Sequence, residues 1–417
     1  MAIRSTVHQT GADAVTELLR LSPPDGEHRS IPCTCGRVAR YEGMRSRPIL
    51  TVVGWARIDR PYYLCPACHT GQFPADIELD IDKTDFSPGV RRMLAAVGGV
   101  APFAQGRDQM KLLAGLEVTA KTVERTAESI GQDIEIRQQN DINSAKQLRL
   151  PTFAGPSIPY LYIQMDGTQV FVVKTQTEGR AGRTSGQPAR TRECKLGAVF
   201  TQTTVDNQGR PVRDEDSTTY VGAIETAEEF GLRIYTEAWN RGWDRATIRV
   251  VMGDGSHWIW NNADQHFPGA IQIVDLYHAR EHLWDLARKL YPAGEVAQKR
   301  WLMRKLDWLE NGKIESLAMA LRKLADDEQH SELAKTIRVE AEYFDTNRDR
   351  MRYPEFRKKN LFVGSGVIEA GCQTVIGSRL KQSGMFWTVR GANAIIALRC
   401  CLLNGELEDH WAARRSA

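Results

Sequence analysis

The sequence predicts an α/β core carrying an all-helical insertion, preceded by two small modules, one of short strands and one of helices. Three observations predict it. The hydrophobic period is near two over residues 31–80, helical over 84–131, alternately strand-like and helical from Pro159, and helical again over 279–352. Nine of the ten tryptophans lie from Trp239 onward. Four of the eight cysteines fall within 31–80.

Each segment has local reasons. Residues 1–30 hold a short amphipathic piece, Ala14 to Leu21, before the break SPPDGEHRS. In 31–80, ARYEG, PILTVVGWARI and RPYYLC are rich in β-branched and aromatic residues with turns between. In 84–131, Ser87-Pro88 starts a helix with a cap and a proline at its first position. A second helix runs Phe103 to Leu113, Gly115-Leu116 breaks it, and a third runs Thr119 to Ile130. Residues 132–152 are polar and read as a linker. YLYIQMDGTQVFVV reads as a strand ending near Asp166 and resuming after a turn at Gly167. The segment 174–195 has six basic and two acidic residues and reads as a mobile basic hairpin loop. LGAVFTQTTV is a strand, Ala227 to Trp239 a helix, ATIRVVMGDG a strand, HWIWNNADQHF a helix and AIQIVDLYH a strand. Leucines and tryptophans at helical spacing fill 279–352, where Trp284, Trp301 and Trp308 are expected to form the insertion's own core. After Pro354 comes LFVGSGVIEAG, then a long helix through Leu403. No internal repeat or low-complexity tract is present.

A chain of 417 residues suggests two to four domains. With 42% hydrophobic and 26% charged residues it is not disordered, collagen-like or a disulfide-dense mini-protein as a whole. A net charge of +3 points to nucleic acid only if the basic residues are segregated. No stretch approaches the roughly 20 apolar residues of a membrane span, and the run Ala394–Leu403 is broken by Arg399. The first residues lack a signal-peptide pattern, so the expected location is cytoplasmic with no membrane partner. In that setting clustered cysteines indicate a metal site.

Three constellations could carry chemistry. Cys33-Thr-Cys35 and Cys65-Pro-Ala-Cys68 could close a tetrahedral zinc site, structural because four thiolates leave no open position and because so small a module cannot fold firmly alone. That closure also argues against a zinc-dependent hydrolase. The three helices of 84–131 fit a helix-turn-helix, with Lys121, Thr122 and Arg125 on the exposed start of the last helix where they could meet DNA. An ordinary helical bundle shares the pattern. Asp166 and Asp254 end strands, each beside glycine, and Glu369 lies early on a helix. Three carboxylates could share two divalent cations about 3.5–4 Å apart. Any one Asp-Gly alone would more often be a turn.

YIQMDGTQV, RVVMGDGSHWIW, IVDLYHAREHLW and GSGVIEAGCQTVIGSRLKQSGMFWTVRGANAIIALR together resemble the DDE transposases of bacterial insertion sequences, the ISKra-type group related to the Mutator-like superfamily. The resemblance runs over roughly residues 30–405, with the four motifs in order. It implies an RNase H-like core in two parts, 153–278 and 359–405, around the helical insertion 279–358. The zinc-binding module (31–80), the helix-turn-helix module (84–131) and the linker (132–152) precede the core, between an N-terminal segment (1–30) and a C-terminal tail (406–417). It implies Asp166, Asp254 and Glu369 as ligands of two Mg²⁺ ions, with Mn²⁺ able to substitute. It places His278, in Asp275-Leu-Tyr-His278, near the scissile phosphate, with Glu281 and His282 as weaker candidates. Arg379, Lys381 and Arg390 suit phosphate oxygens, and Trp387 an unpaired base. The implied activity is phosphodiester cutting at terminal inverted repeats and joining of the 3′-hydroxyls to target DNA. The partners are transposon-end and target DNA, with at least a dimer assembled there and association with the nucleoid. The alternatives are a catalytically silent DNA-binding descendant and an RNase H-like nuclease that cuts without joining. Positive charge is expected in the 174–195 loop, the 84–131 module and the Arg379–Arg390 stretch, with DNA binding that weakens steeply in salt.

Overall fold

The chain in this computed structural model is described over residues 2–152, 154–182, 187–292 and 294–414. It divides into two units, Met1–Asp133 with Glu406–Ala417, and Ile134–Gly405.

The first unit opens with α1 (Ala2–Leu18). This helix starts far earlier than the sequence predicts, because it packs along the first hairpin and Gly11 lets Val53 come close. The strands β1 (Ser30–Pro32), β2 (Val38–Thr51), β3 (Gly54–Leu64) and β4 (Gly71–Gln72) form an antiparallel sheet in that order. The β2–β3 hairpin carries one bulge, between Tyr41 and Gly43. A short helix, α2 (Pro74–Glu78), ends the strand-rich segment. Its Asp76 meets Arg60 at 2.5 Å in the interior, where each charge is satisfied by the other.

Three helices follow: α3 (Pro88–Val100), α4 (Phe103–Gln109) and α5 (Ala120–Lys146). Ser87 caps α3 through the Val90 amide. Gly115 stands in the left-handed region, φ 70°, and turns the chain after α4. Val90, Leu94, Met110, Leu116 and Val123 form their buried core. The polar stretch read as a linker is helical as far as Lys146. Ile134, Ile142 and Ala145 are buried along one face, a stripe too sparse among Gln, Asn and Asp to stand out in the sequence. The C-terminal helix, α16 (Leu407–Arg414), belongs to this first unit, where Arg92 binds Glu408 and Arg414 binds Asp133.

The second unit is built on a mixed sheet: β5 (Ile158–Phe171), β6 (Thr191–Gln202), β9 (Thr219–Ala223), β10 (Ala246–Gly253) and β11 (Ile271–Val274), with β7 (Thr204–Val205) and β8 (Pro211–Val212) as a separate small ribbon. The order across the sheet is β11-β10-β5-β6-β9. β10 runs parallel to β11 and β5, while β6 is antiparallel to β5 and β9. β5 does not stop at Asp166 as predicted. Gly167 stays in the ladder opposite Lys195, so the strand continues to Phe171. Of the expected basic loop, residues 183–186 lie outside the described residues. Lys174–Gln176 form a single helical turn, and 191–195 already belong to β6.

Helices flank the sheet. α6 (Ala227–Asn240) begins with a full capping box of Thr226 and Glu229, and α7 (His257–His266) follows β10. β11 ends before Asp275, which instead caps α8 (Leu276–Leu290), so His278 stands on a helix and not on the expected strand. The insertion continues with α9 (Val296–Glu310), α10 (Ile314–Ala325), α11 (Ala334–Thr346) and α12 (Tyr353–Lys358). Its core is not its own. Leu302, Leu309, Leu317, Leu321, Ile337 and Phe344 are continuous with Ile163, Val250, Met252 and Ile259 of the sheet region. Trp301 and Trp308 pack on that core partly buried, while Trp284 is exposed. The final predicted helix is interrupted: α13 (Gly366–Gly371), a wider turn over Cys372–Gly377, α14 (Ser378–Leu380), a break, then α15 (Val389–Leu403). In the break, residue 387 docks on the end of β5, with Trp387 N–H donating to Phe171 O at 3.1 Å.

Candidate functional site

The site begins with strand register. Met252 of β10 pairs with Gln164 of β5, and Gly253 pairs with Val274 of β11. Continuing each ladder places Asp254 level with Asp166 on one side and with Asp275 on the other. By register, then, Asp166 within β5 is level with Asp254, one residue past the end of β10, and with Asp275, one residue past the end of β11, near the carboxyl ends of the two shorter strands, where α/β sheets place ligands.

Glu369 joins them through α13. The Ser365 hydroxyl lies against Asp275 Oδ2 and 2.9 Å from Glu369 Oε1. One hydroxyl proton cannot serve two carboxylates, so the cluster favours taking up another. Burial raises the Glu369 pKa, and its hydrogen bond and charge repulsion with Asp275 raise it further against the Ser365 bond. Gln164, fully buried, anchors this helix to β5: its side-chain oxygen accepts from the Ile368 amide at 3.0 Å.

The other carboxylates are also held. Asp166 accepts from its neighbour's amide, Gly167 N, at 2.7 Å, and from the Cys372 thiol at 3.3 Å. Burial raises its pKa, and the charge of Asp254 adds to the rise. Asp254 accepts from the Ser256 amide at 2.8 Å and the Ser256 hydroxyl at 3.0 Å. Gly255 has φ 102°, and a Cβ there would come 2.5 Å from the Tyr343 ring. Glycine is needed for both reasons. His278 is part-exposed, with Nδ1 3.7 Å from Glu281 Oε2. His282 is fixed from behind by Glu340 at 2.7 Å and stacks on Tyr343 with centroids 3.9 Å apart. An open cleft of about 580 Å³ is lined by Asp254, His278, His282, Lys335, Arg338 and Tyr343 among others.

The four carboxylates share one end of the sheet without meeting at one point. Among the described residues, the side chains whose ligand atoms all lie within 4.8 Å of one another are Cys33, Cys35, Cys65 and Cys68. Cys33 Sγ is 3.6 Å from Cys68 Sγ, and Cys35 Sγ is 3.6 Å from Cys65 Sγ. A tetrahedron with arms of about 2.3 Å has edges of about 3.8 Å, so this spacing suits zinc. Each pair sits on a tight turn, with Gly36 N–H bonded to Cys33 O and His69 N–H to Cys65 O. The Thr70 hydroxyl and amide hold the Cys68 thiol down at about 6, ready to lose its proton. This cluster could hold a metal such as zinc.

The residues expected on DNA divide. Lys121 is exposed and paired with Glu124 at 2.6 Å. Thr122 bonds Thr119 at the start of α5, and Arg125 is exposed. Lys381 donates to the Thr168 hydroxyl at 2.5 Å, two residues beyond Asp166, and Arg390 is exposed on α15. Arg379 and Trp387 do not fit the expectation. Arg379 is 0% exposed, with its guanidinium 5.1 Å from the Trp387 ring, and buried Trp387 donates from its indole N–H to Leu380 O at 3.1 Å. They pack the break between α14 and α15, because a tryptophan face solvates a guanidinium that water cannot reach.

The sequence points to Asp275 only as the start of the motif that carries His278, and not to Ser365, Cys372, Gln164 or Tyr343. The signal at Asp275 is that motif. The rest become visible through the fold alone.

No family model matches this chain, and no curated protein does. Among solved structures it is similar to the Drosophila P element transposase strand transfer complex, at 9% identity over 82% of this chain and 83% of that one, with a TM-score of 0.27. A likeness at that level does not equate two folds, so the function below rests on this chain's own geometry. Among the described residues, no helix is long and apolar enough to cross a membrane.

Proposed function

We propose that this chain is a DNA transposase of the ISKra type with an RNase H-like core, cutting the phosphodiester at each transposon end and joining the freed 3′-hydroxyl to target DNA. The observation that carries the reading is the strand register that brings Asp166, Asp254 and Asp275 level, with Glu369 joined to Asp275 through Ser365. The strand order supports the core assignment: an antiparallel β9-β6-β5 half joined to a parallel β5-β10-β11 half.

The donor set suits magnesium. Its oxygens are hard, and Asp166 and Glu369 carry a charge cost from burial and from each other's aspartate neighbours that a divalent cation would offset. Asp166, Asp254 and Glu369 would hold it, with manganese able to substitute. The chemistry that bound metal would supply is activation of the attacking hydroxyl and stabilisation of the leaving oxygen. The chain's own residues do the positioning. Ser365 and Gln164 set the helix of Glu369, Ser256 and Tyr343 fix the Asp254 loop, and Lys381 stands where it can meet a phosphate oxygen beside Asp166. His278 would contact DNA near the carboxylates. The cysteine module and α3–α5 would bind terminal inverted repeats, with at least two chains assembled on DNA.

The test is a strand-transfer assay on DNA carrying the element's ends in Mg²⁺, with Asp166→Asn and Glu369→Gln. Wild type should cut and join, and both variants should do neither. Cutting without joined product favours a nuclease. DNA binding without cutting favours a silent descendant.

A further inference from the structure

We propose that the pocket around Lys305 in the helical insertion binds a backbone phosphate of DNA. The inference rests on the reading that this chain acts on DNA, and extends it to a site that reading does not use.

Lys305 on α9 is only 7% exposed. Its ammonium lies 4.1 Å from the Trp308 ring centroid and 5.9 Å from that of Trp301. Among the described residues no carboxylate pairs with it. Two aromatic faces offset part of the cost of burying a cation, and an anion would offset the rest. Desolvation pushes the Lys305 pKa down to about 8, and nearby Arg304 adds to the fall, which is the condition of an ammonium short of negative charge.

Lys305 opens on a pocket of about 550 Å³ that Trp301, Lys323, Leu324, Asp326 and Asp327 also line. Asp326 is neutralised by Arg338 at 3.0 Å, leaving two ammonium groups opposed by Asp327. Arg338 lines the cleft beside Asp254 and its partner Asp326 lines this pocket, so the ion pair links the two. A DNA strand following Lys335 and Arg338 out of the first cleft would come to this pocket across the Arg338–Asp326 pair. Phosphate is the anion such a strand presents at every step.

Lysine acylation of the full chain, read by mass spectrometry, tests this without divalent cations. Random-sequence duplex DNA should reduce Lys305 labelling severalfold, and inorganic phosphate at the same phosphate concentration should reduce it far less. Equal labelling with and without DNA overturns the proposal, as does equal protection by inorganic phosphate. Lys305→Met should weaken binding of the same duplex about tenfold and lower the salt slope by about one, with no loss of melting temperature. Unchanged affinity and slope in a folded variant overturn it. If the variant does not fold, the labelling decides. Protection of Lys305 in a protein that never cuts DNA supports this site while removing the proposed activity. Cutting with Lys305 unprotected removes this site alone.

Discussion

The phenol of Tyr343 donates a 2.9 Å hydrogen bond to the main-chain carbonyl of Asp254. The donor belongs to the insertion and the acceptor to the end of β10, so the insertion grips the loop that bears a candidate ligand. Tyr343→Phe keeps the ring on His282 and removes only the donor. A hydrogen bond of about 1 kcal/mol should appear as a several-fold higher Mg²⁺ concentration for half-maximal cutting, with cutting at saturation little changed. A Mg²⁺ titration reads it. An unchanged midpoint would mean that the bond does not position Asp254.

Asp166 should cost stability. Its folded-state pKa is raised, by burial first, so the stability it contributes is present in acid and lost as pH rises through that pKa. At neutral pH the cost is in force. Asp166→Asn should therefore melt above wild type without divalent cations, while cutting falls by about two orders of magnitude or more. Mg²⁺ should raise the melting temperature of wild type and not of the variant. A variant that melts lower would show the carboxylate to be structural.

Glu135, on α5, is pushed up to about 7 by burial and by Glu225, against the pull of Arg233 and Arg390. The raised pKa makes its stabilising contribution largest below the ordinary carboxylate range and lost as pH climbs toward 7. Glu135→Gln should gain about 1–2 kcal/mol at pH 8, allowing for partial screening, and converge with wild type below about pH 4. Thermal melts at the two values check it; parallel behaviour at both would contradict the raised pKa.

The cysteine module should depend on metal. Metal analysis of purified protein should find one zinc per chain. Chelation or Cys65→Ser should open residues 31–80 to protease, since loss of structural zinc removes several kcal/mol from so small a core. A metal-free protein with that segment still resistant would show that the four thiols merely pack.

Much of this was legible in the sequence because it is local. Ser87-Pro88, Gly115, the period-two strands and the paired cysteines each signal their own structure. Asp254 was legible as a strand end, whereas Asp166 lies within β5, because Gly167 stays in the ladder and does not turn the chain. Asp275 was read as strand and proved to be a helix cap, because its hydrophobic approach, Ile271–Val274, looks the same in either case. The reach of α5 was hidden by its polar surface. Arg379 and Trp387 were misread because composition cannot tell a basic aromatic surface from a cation folded under a ring. Tyr343, Ser365 and Gln164 act over chain separations of 89, 90 and 204 residues, where no spacing rule applies.

The shared register makes the sheet a ruler. The chain beyond the last strand can lengthen without moving the aspartates, as the large insertion between Asp275 and Glu369 illustrates. One residue added inside Ala246–Gly253 would displace Asp254 by a whole step from both neighbours and turn the strand's side chains to the opposite face. Length variation in this protein should therefore be permitted everywhere except in the few residues that count out the distance to its acids.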